Sequence, residues 1–445
     1  MAHTFRIGGI HPSANKISGG TPITPAALPD IVHILISQHI GAPAQALVKR
    51  GDPVKVGTLI AKAGGFVSAN IHSSVSGTVQ KIEEVVDAGG YKKSVITIQS
   101  DGEDAWEETI DRTPNIIRET PLSPEEIVRK IGDMGIVGMG GATFPTQVKL
   151  MPPKGAKAEL VIINGVECEP YLTADHRIML ERGEEIVIGA TLLKKAMGVP
   201  KVVIGVEANK PDAIKNLTEI AKNHPGIEVM PLKVRYPQGG EKQLIDAVMR
   251  RQVKSGQLPI SEGAVVQNVG TTLAIYEAVM KNKPLFERVV TVTGKSVKSP
   301  SNFLVRIGTS ADSLIQAAGG LPEDAAKVIS GGPMMGKALV TTDIPVAKGT
   351  SGILILSAKD TKRKPMRNCV RCAKCVNVCP MGLNPAFLMR DTIYKEWETL
   401  EKHHIMDCIE CGSCSFTCPA NRPLLDRIRQ GKATVGGIIR SRKKA

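Results

Sequence analysis

Eight of the chain's 9 cysteines fall into two copies of one spacing. Cys369, Cys372, Cys375 and Cys379 are followed by Pro380, and Cys408, Cys411, Cys414 and Cys418 by Pro419. Closely spaced thiolates can cap three irons of a cubane, with a more distant fourth cysteine completing the set. The doubled C-x2-C-x2-C-x3-C-P run therefore predicts two [4Fe-4S] clusters and the movement of single electrons. A disulfide framework is one competing reading, but disulfide-dense scaffolds are small and secreted, and the opening Met1-Ala-His-Thr-Phe-Arg carries no apolar signal segment. Zinc is the other. Zinc knuckles pair across longer spacers and call for no proline after the last cysteine.

A second constellation runs from Gly138 to Lys149. Gly138, Gly140 and Gly141 allow backbone N–H groups to approach a phosphate closely, and Lys149 supplies a charge for it. Glycine-rich turns are common, so the weight comes from the adjoining segment. An apolar run, Leu160-Val161-Ile162-Ile163, leads into Asn164-Gly165-Val166-Glu167-Cys168-Glu169-Pro170. Functional groups of α/β sheets gather at such strand carboxyl ends.

The elements that must position these groups change along the chain. At 445 residues about three domains are expected, and 42% hydrophobic content supplies their cores. No apolar run approaches the ~20 residues needed to cross a bilayer. From about 31 to 99, short strand-like runs alternate with glycine turns, as in a small β barrel. Ser123-Pro124-Glu125-Glu126 is a capping box that should start a helix ending at Gly135. Leu160–Ile163 and Val202–Val206 read as strands of a parallel sheet buried on both faces, with helical patterns at 183–197 and 211–223. Between 286 and about 357 the pattern is β-rich with one helix from Ser310 to Ala318, as in a β-grasp module. The fold class expected is multidomain α/β and α+β: an N-terminal barrel-sandwich-like domain (1–114), a central α/β domain (115–285), a β-grasp module (286–360), a cluster domain (361–425) and a basic tail (426–445).

The net charge is +14, and seven basic residues follow Asp426 with no acid among them. Such a tail suits anionic lipid or an acidic partner, and equally a solvated end. Aromatics make up only 3%, which argues against nucleic-acid stacking surfaces. Oxygen-sensitive clusters place the protein in the cytoplasm. Cys168 reads as a buried inert thiol, His403 and His404 as surface residues, and His11 has no assignable chemistry.

Several of these segments resemble known families. The turn-plus-strand units look like halves of a biotinyl or lipoyl barrel, whose cofactor lysine would sit at a hairpin tip; Ala69 to Ser74 occupies that place here and offers no lysine. Gly138 to Lys149 resembles the flavin loop of the NADH-oxidising flavoprotein subunit of respiratory complex I, and Asn164 to Pro170 resembles its nicotinamide-site loop. Tyr236-Pro237-Gln238-Gly239-Gly240-Glu241 and Gln267-Asn268-Val269-Gly270-Thr271 are similar to its later flavin-pocket segments, in the same order. Two positions depart from that pattern: Gly240 stands for an acid and Met139 for an arginine. The whole arrangement resembles the RnfC subunits of the Rnf electron-transport complexes.

That resemblance implies FMN, two [4Fe-4S] clusters and NAD(H) as substrate. It also implies a place on the cytoplasmic face of a membrane complex that couples ferredoxin to NAD and to ion pumping, beside an iron–sulfur subunit. Residue by residue, it assigns Gly138, Gly140, Lys149, Asn164, Gly239, Gln267, Asn268 and Thr271 to the flavin pocket, and counts Gly141 and Glu167 among the cofactor-binding residues. Phe144, Glu169 and Glu241 are assigned to NADH. No side chain is expected to act as acid, base or nucleophile. Two-cluster ferredoxins, which the cysteine runs resemble, take the fourth ligand of each cluster from the other run. The implied sets are Cys369, Cys372, Cys375 and Cys418 for one cluster, and Cys408, Cys411, Cys414 and Cys379 for the other. Two alternatives stay open: a cobalamin reductase of the propanediol-utilisation type, and an iron–sulfur relay that has lost its nucleotide site.

Overall fold

The computed structural model describes residues 3–442. Its centre is a four-stranded parallel sheet in the order Ile227–Leu232, Val202–Glu207, Leu160–Gly165, Ala264–Asn268. The apolar runs that predict buried strands behave accordingly. Every residue of Val202–Glu207 is buried, and Val161, Ile162, Ile163 and Ile204 are inaccessible to solvent. Helices Gly183–Met197, Pro211–Ala221, Glu241–Met249 and Val269–Lys281 accompany this sheet. The capping box forms as expected: Ser123 accepts from Glu126 N, Glu126 accepts from Ser123 N, and the helix spans Pro124–Asp133.

The N-terminal barrel is two antiparallel sheets closed over Val32, Ile34, Ile60, Val79, Ile96 and Ile98. Residues 69–74 are no exposed hairpin tip. Ile71–His72 is a strand within the barrel, and residues 71–77 are all buried. Asn70 donates to Asp133 O at 3.1 Å and Ser74 to Ile307 O at 2.5 Å, docking this edge on the neighbouring domains.

A six-stranded mixed sheet and the helix Ala311–Ala317 make up the β-grasp-like module. One strand comes from elsewhere in the chain. Ile23–Pro25, which the sequence groups with the barrel, pairs in parallel with Ser301–Arg306. The residues before it also leave the barrel: Ile10 bridges to Tyr236, and Gly9 N donates to Val378 O at 2.9 Å.

The cysteine-rich domain is helical. Asn384 caps the helix Pro385–Ile393 between the two runs; its buried face is Leu388 and Met389, and Phe387 and Ile393 are exposed. The stretch after Asp426 is no solvated end. It lies in the helix Leu424–Arg442, whose Ile428 and Val435 are 1% exposed and join the cluster-domain core. Lys443 and Lys444 fall outside the described residues. Among the described residues, no helix is long and apolar enough to cross a membrane.

Candidate functional site

Parallel pairing aligns the carboxyl ends of two strands so that Asn268 and Asn164 are direct partners. Each asparagine then organises a neighbouring segment. Asn164 donates its amide to Gly239 O at 2.8 Å and accepts from Val166 N, tying two glycine-bearing loops to the sheet edge. Asn268 caps the helix Val269–Lys281, accepting from Gly270 N at 2.8 Å and Thr271 N at 3.2 Å, and donates to Asp175 at 2.7 Å. A Cβ at Gly140 would come within 2.7 to 2.9 Å of the Asn268 side chain, so only glycine lets the loop lie there. Gly141 has open space around it.

The glycine loop is held at both ends. Gly138 N donates to Phe144 O at 2.9 Å, and Met139 N donates to the Thr271 hydroxyl at 2.9 Å. Thr271 is thus a support for the loop. Phe144 is half-buried at the loop's far end and outside the hydrophobic core clusters. Gln267 is 3% exposed and its Nε2 has no hydrogen-bond partner. A buried amide donor left unpaired at a strand end is what a carbonyl or phosphate oxygen of a ligand would satisfy.

Lys149 donates to Glu241 at 2.6 Å and to Val266 O at 2.9 Å, so the loop's cation and the later acidic residue meet in one place. The other two acids are turned inward. Glu167 accepts from Asp175 N at 2.8 Å and His176 N at 3.2 Å, at the start of the helix Ala174–Glu181. Glu169, expected to face a nucleotide, instead accepts from Met334 N at 2.6 Å and Met335 N at 3.0 Å, and desolvation raises its pKa. These two acids shape the 164–170 loop. Lys16 pins the same loop from the N-terminal segment, donating to the carbonyls of Glu167, Glu169 and Leu172.

Behind Asn268 lie two groups that no motif announces. Asp175 sits against Asn268, and desolvation followed by the charge of Glu167 pushes its pKa up to about 7. Arg288, from the β-grasp-like module, is 6% exposed; it donates to Met139 O at 3.4 Å and to Lys348 O, and its charge stabilises the Asp175 carboxylate. Cys168 accepts from Gly239 N at 3.4 Å and desolvation pushes its thiol up to about 12, so it stays an inert neutral thiol. His403 is exposed as expected, though paired with Asp391 at 3.0 Å.

None of the nine cysteines is paired in a disulfide. Cys379, from the first run, lines one apolar cavity together with Cys408, Cys411 and Cys414 of the second. Burial pushes Cys408 up to about 11 and Cys414 up to about 12, with Cys411 and Cys379 adding like charge in both cases. Burial also raises Cys375, and among its neighbours Cys418 of the opposite run adds to that rise. Among the described residues no three His, Cys, Asp or Glu side chains close on a single ion. The cavity abuts the sheet-edge loops: Tyr236 is 2% exposed and donates its hydroxyl to Cys411 O at 2.8 Å.

A glycine loop at the carboxyl edge of a parallel sheet, walled by a domain with two four-cysteine runs, defines an iron–sulfur flavoprotein of the electron-transfer class. Family models match in the same order. The RnfC barrel sandwich hybrid domain covers 3–103, the Nuo51 FMN-binding domain 131–277, the SLBB domain 289–338 and the 4Fe-4S dicluster domain 366–422. The RnfC subunit of the proton-translocating ferredoxin:NAD(+) oxidoreductase complex of Clostridium ljungdahlii is 46% identical over 97% of this chain and 94% of its own length. Its counterpart in the Na(+)-translocating complex of Acetobacterium woodii is 45% identical over 99% and 98%. The chain belongs to the RnfC family, whose members are subunits of the ion-translocating ferredoxin:NAD(+) oxidoreductase (Rnf) complexes. The barrel match favours this family over the cobalamin reductases. A crystal structure of an NAD+-reducing [NiFe]-hydrogenase shares the fold at TM-score 0.50 and 19% identity, over 70% of this chain and 62% of that one.

Proposed function

We propose that this chain is the subunit through which a membrane-bound, ion-translocating ferredoxin:NAD oxidoreductase complex exchanges electrons with NAD(H). The observation that carries this reading is the Tyr236 hydroxyl bound to Cys411 O at 2.8 Å, because it ties the 236–241 segment, which bears Gly239 and Glu241, to the second cysteine run. FMN, when bound, supplies the conversion between a two-electron hydride and the single electrons that cubanes carry.

The residues of the chain bind and orient. The backbone of Gly138, Gly140 and Gly141 offers close approach to a phosphate, Lys149 offers charge, and Gln267 offers its unpaired amide. Asn164, Gly239, Asn268 and Thr271 hold the surrounding loops in place. Phe144 presents a ring face to a nucleotide base, and Glu241 presents acceptors to ribose hydroxyls. Cys408, Cys411, Cys414 and Cys379 ligate the inner cluster; Cys369, Cys372, Cys375 and Cys418 ligate the outer one. No side chain acts as acid, base or nucleophile. The subunit is peripheral, on the cytoplasmic face, and binds no nucleic acid.

Anaerobically purified protein assayed for iron, FMN and NADH-dependent ferricyanide reduction tests this reading. Iron for two cubanes, one FMN and dye reduction are expected. Iron alone, without FMN or dye reduction, would replace it with the relay that has lost its nucleotide site.

A further inference from the structure

The two cysteine runs sit in different surroundings. Cys379 and Cys411 are buried, whereas Cys369 and Cys372 are exposed. Around the exposed pair the chain is unusually basic. Residues 362–374 are exposed throughout, and they hold Lys362, Arg363, Lys364, Arg367, Arg371 and Lys374 with no acid among them. Among the described residues, Arg363 alone of these six is ion-paired, with Asp426 at 3.1 Å.

Large apolar side chains stand within this rim. Met366 is 60% exposed, Val370 69% and Phe416 57%. Met366 and Val370 belong to the exposed segment itself; Arg367 N donates to Ala420 O at 2.9 Å and Asn421 donates to Pro365 O at 3.1 Å, laying that segment beside the loop after Cys418, and Phe416 lies in the short helix Ser413–Thr417 that leads into that loop. An apolar centre within a charged rim is the anatomy of a protein docking site. Rim charges of one sign attract and orient a partner of the opposite sign.

We propose that this face is the docking surface for an acidic protein that carries a one-electron redox centre, a proposal that rests on the electron-transfer reading above. A lipid surface would satisfy the cations, but it could not exchange electrons with the exposed cluster thiols. Electron-transfer encounters bury little area and depend on charge, so the contact should be weak and salt-sensitive.

The probe is the soluble domain of cytochrome b5, an acidic one-electron haem protein. Three preparations are compared: the full chain, K362E/K364E/R367E, and K49E/R50E/K62E, which makes the same charge change on the exposed surface of the barrel. The rim triple should weaken equilibrium binding of the cytochrome at least tenfold and the barrel triple less than about threefold, with iron and FMN content unchanged in both. Each NADH oxidised to NAD+ and a proton releases two electrons, which reduce two ferric haems. That reduction should fall with binding, while reduction of a neutral benzoquinone by NADH stays the same. Equal losses in both triples, or none in either, would overturn the proposal. So would a rim triple that loses binding to phosphatidylglycerol vesicles yet keeps its affinity for the cytochrome. Absence of NADH-dependent quinone reduction in the unaltered chain would instead overturn the electron-transfer reading, and binding would still report on the surface.

Discussion

Lys149, closing the glycine loop, and Glu241, opening the helix Glu241–Met249, form a 2.6 Å ion pair that is 31% and 39% exposed at its two side chains. A phosphate entering the loop therefore competes with a carboxylate for the same ammonium. Lys149→Ala should weaken FMN retention roughly ten- to hundredfold, since a charged partner contributes about 1.5–3 kcal/mol. Iron content should stay normal. Fluorescence titration with FMN checks this, and full flavin occupancy at sub-micromolar protein would remove Lys149 from the phosphate site.

Shared walls of the cysteine cavity make the ligand sets separable. Cys379→Ala should damage the cluster held by Cys408, Cys411 and Cys414, which line that cavity with it. Cys418→Ala should damage the cluster of Cys369, Cys372 and Cys375. Anaerobic electron paramagnetic resonance of the two reduced variants reads which signal disappears, and loss of each run's own cluster would refute the crossed sets.

Asp175 makes stability depend on pH. Its carboxyl is pushed up to about 7 in the folded protein, against about 3.9 in an unfolded chain. The folded state thus holds the proton more tightly. The stability it contributes is fully present below pH ~4 and is lost as the pH rises through 7. Asp175→Asn keeps the shape and an acceptor for Asn268, and should flatten the stability profile between pH 4 and 7. Denaturant midpoints across that range decide it; a slope identical to that of the unaltered protein would place the proton elsewhere.

The C-terminal helix should stabilise the cluster domain through burial. Ile428 is 1% exposed against the core formed by Leu388, Leu400 and Ile405. Ile428→Ala should cost about 2–5 kcal/mol, read as a lower guanidinium midpoint for loss of cluster absorbance. Arg440→Ala, on the exposed side of the same helix, should change that midpoint little. Equal effects of the two substitutions would mean that the helix does not depend on its buried side.

Local chemistry was legible in the amino-acid order. A four-cysteine run spans eleven residues and carries three ligands of one cluster by its spacing alone, leaving the fourth to the other run. The Ser123 capping box needs only its own first turn, and a short, β-branched apolar run such as Val202–Val206 fits a strand covered on both faces. The glycine loop with its lysine could be read in the same way, since close backbone approach needs glycine itself.

Tertiary structure alone decided what lies across from these segments. Glu169 looks like a free acid in sequence, but it is taken up by Met334 N and Met335 N, more than 160 positions away. Ile23–Pro25 finds its partner strand at Ser301–Arg306, and Tyr236 reaches Cys411 at a separation of 175. Asp175 and Arg288 bear on the glycine loop only because the sheet order sets Asn268 beside Asn164 and the β-grasp-like module against the loop. Helix caps and cluster loops are satisfied by neighbours in the chain, so the sequence specifies them directly. A buried polar group is satisfied by whatever the packing brings to it, and that partner exists only once the domains have closed on one another.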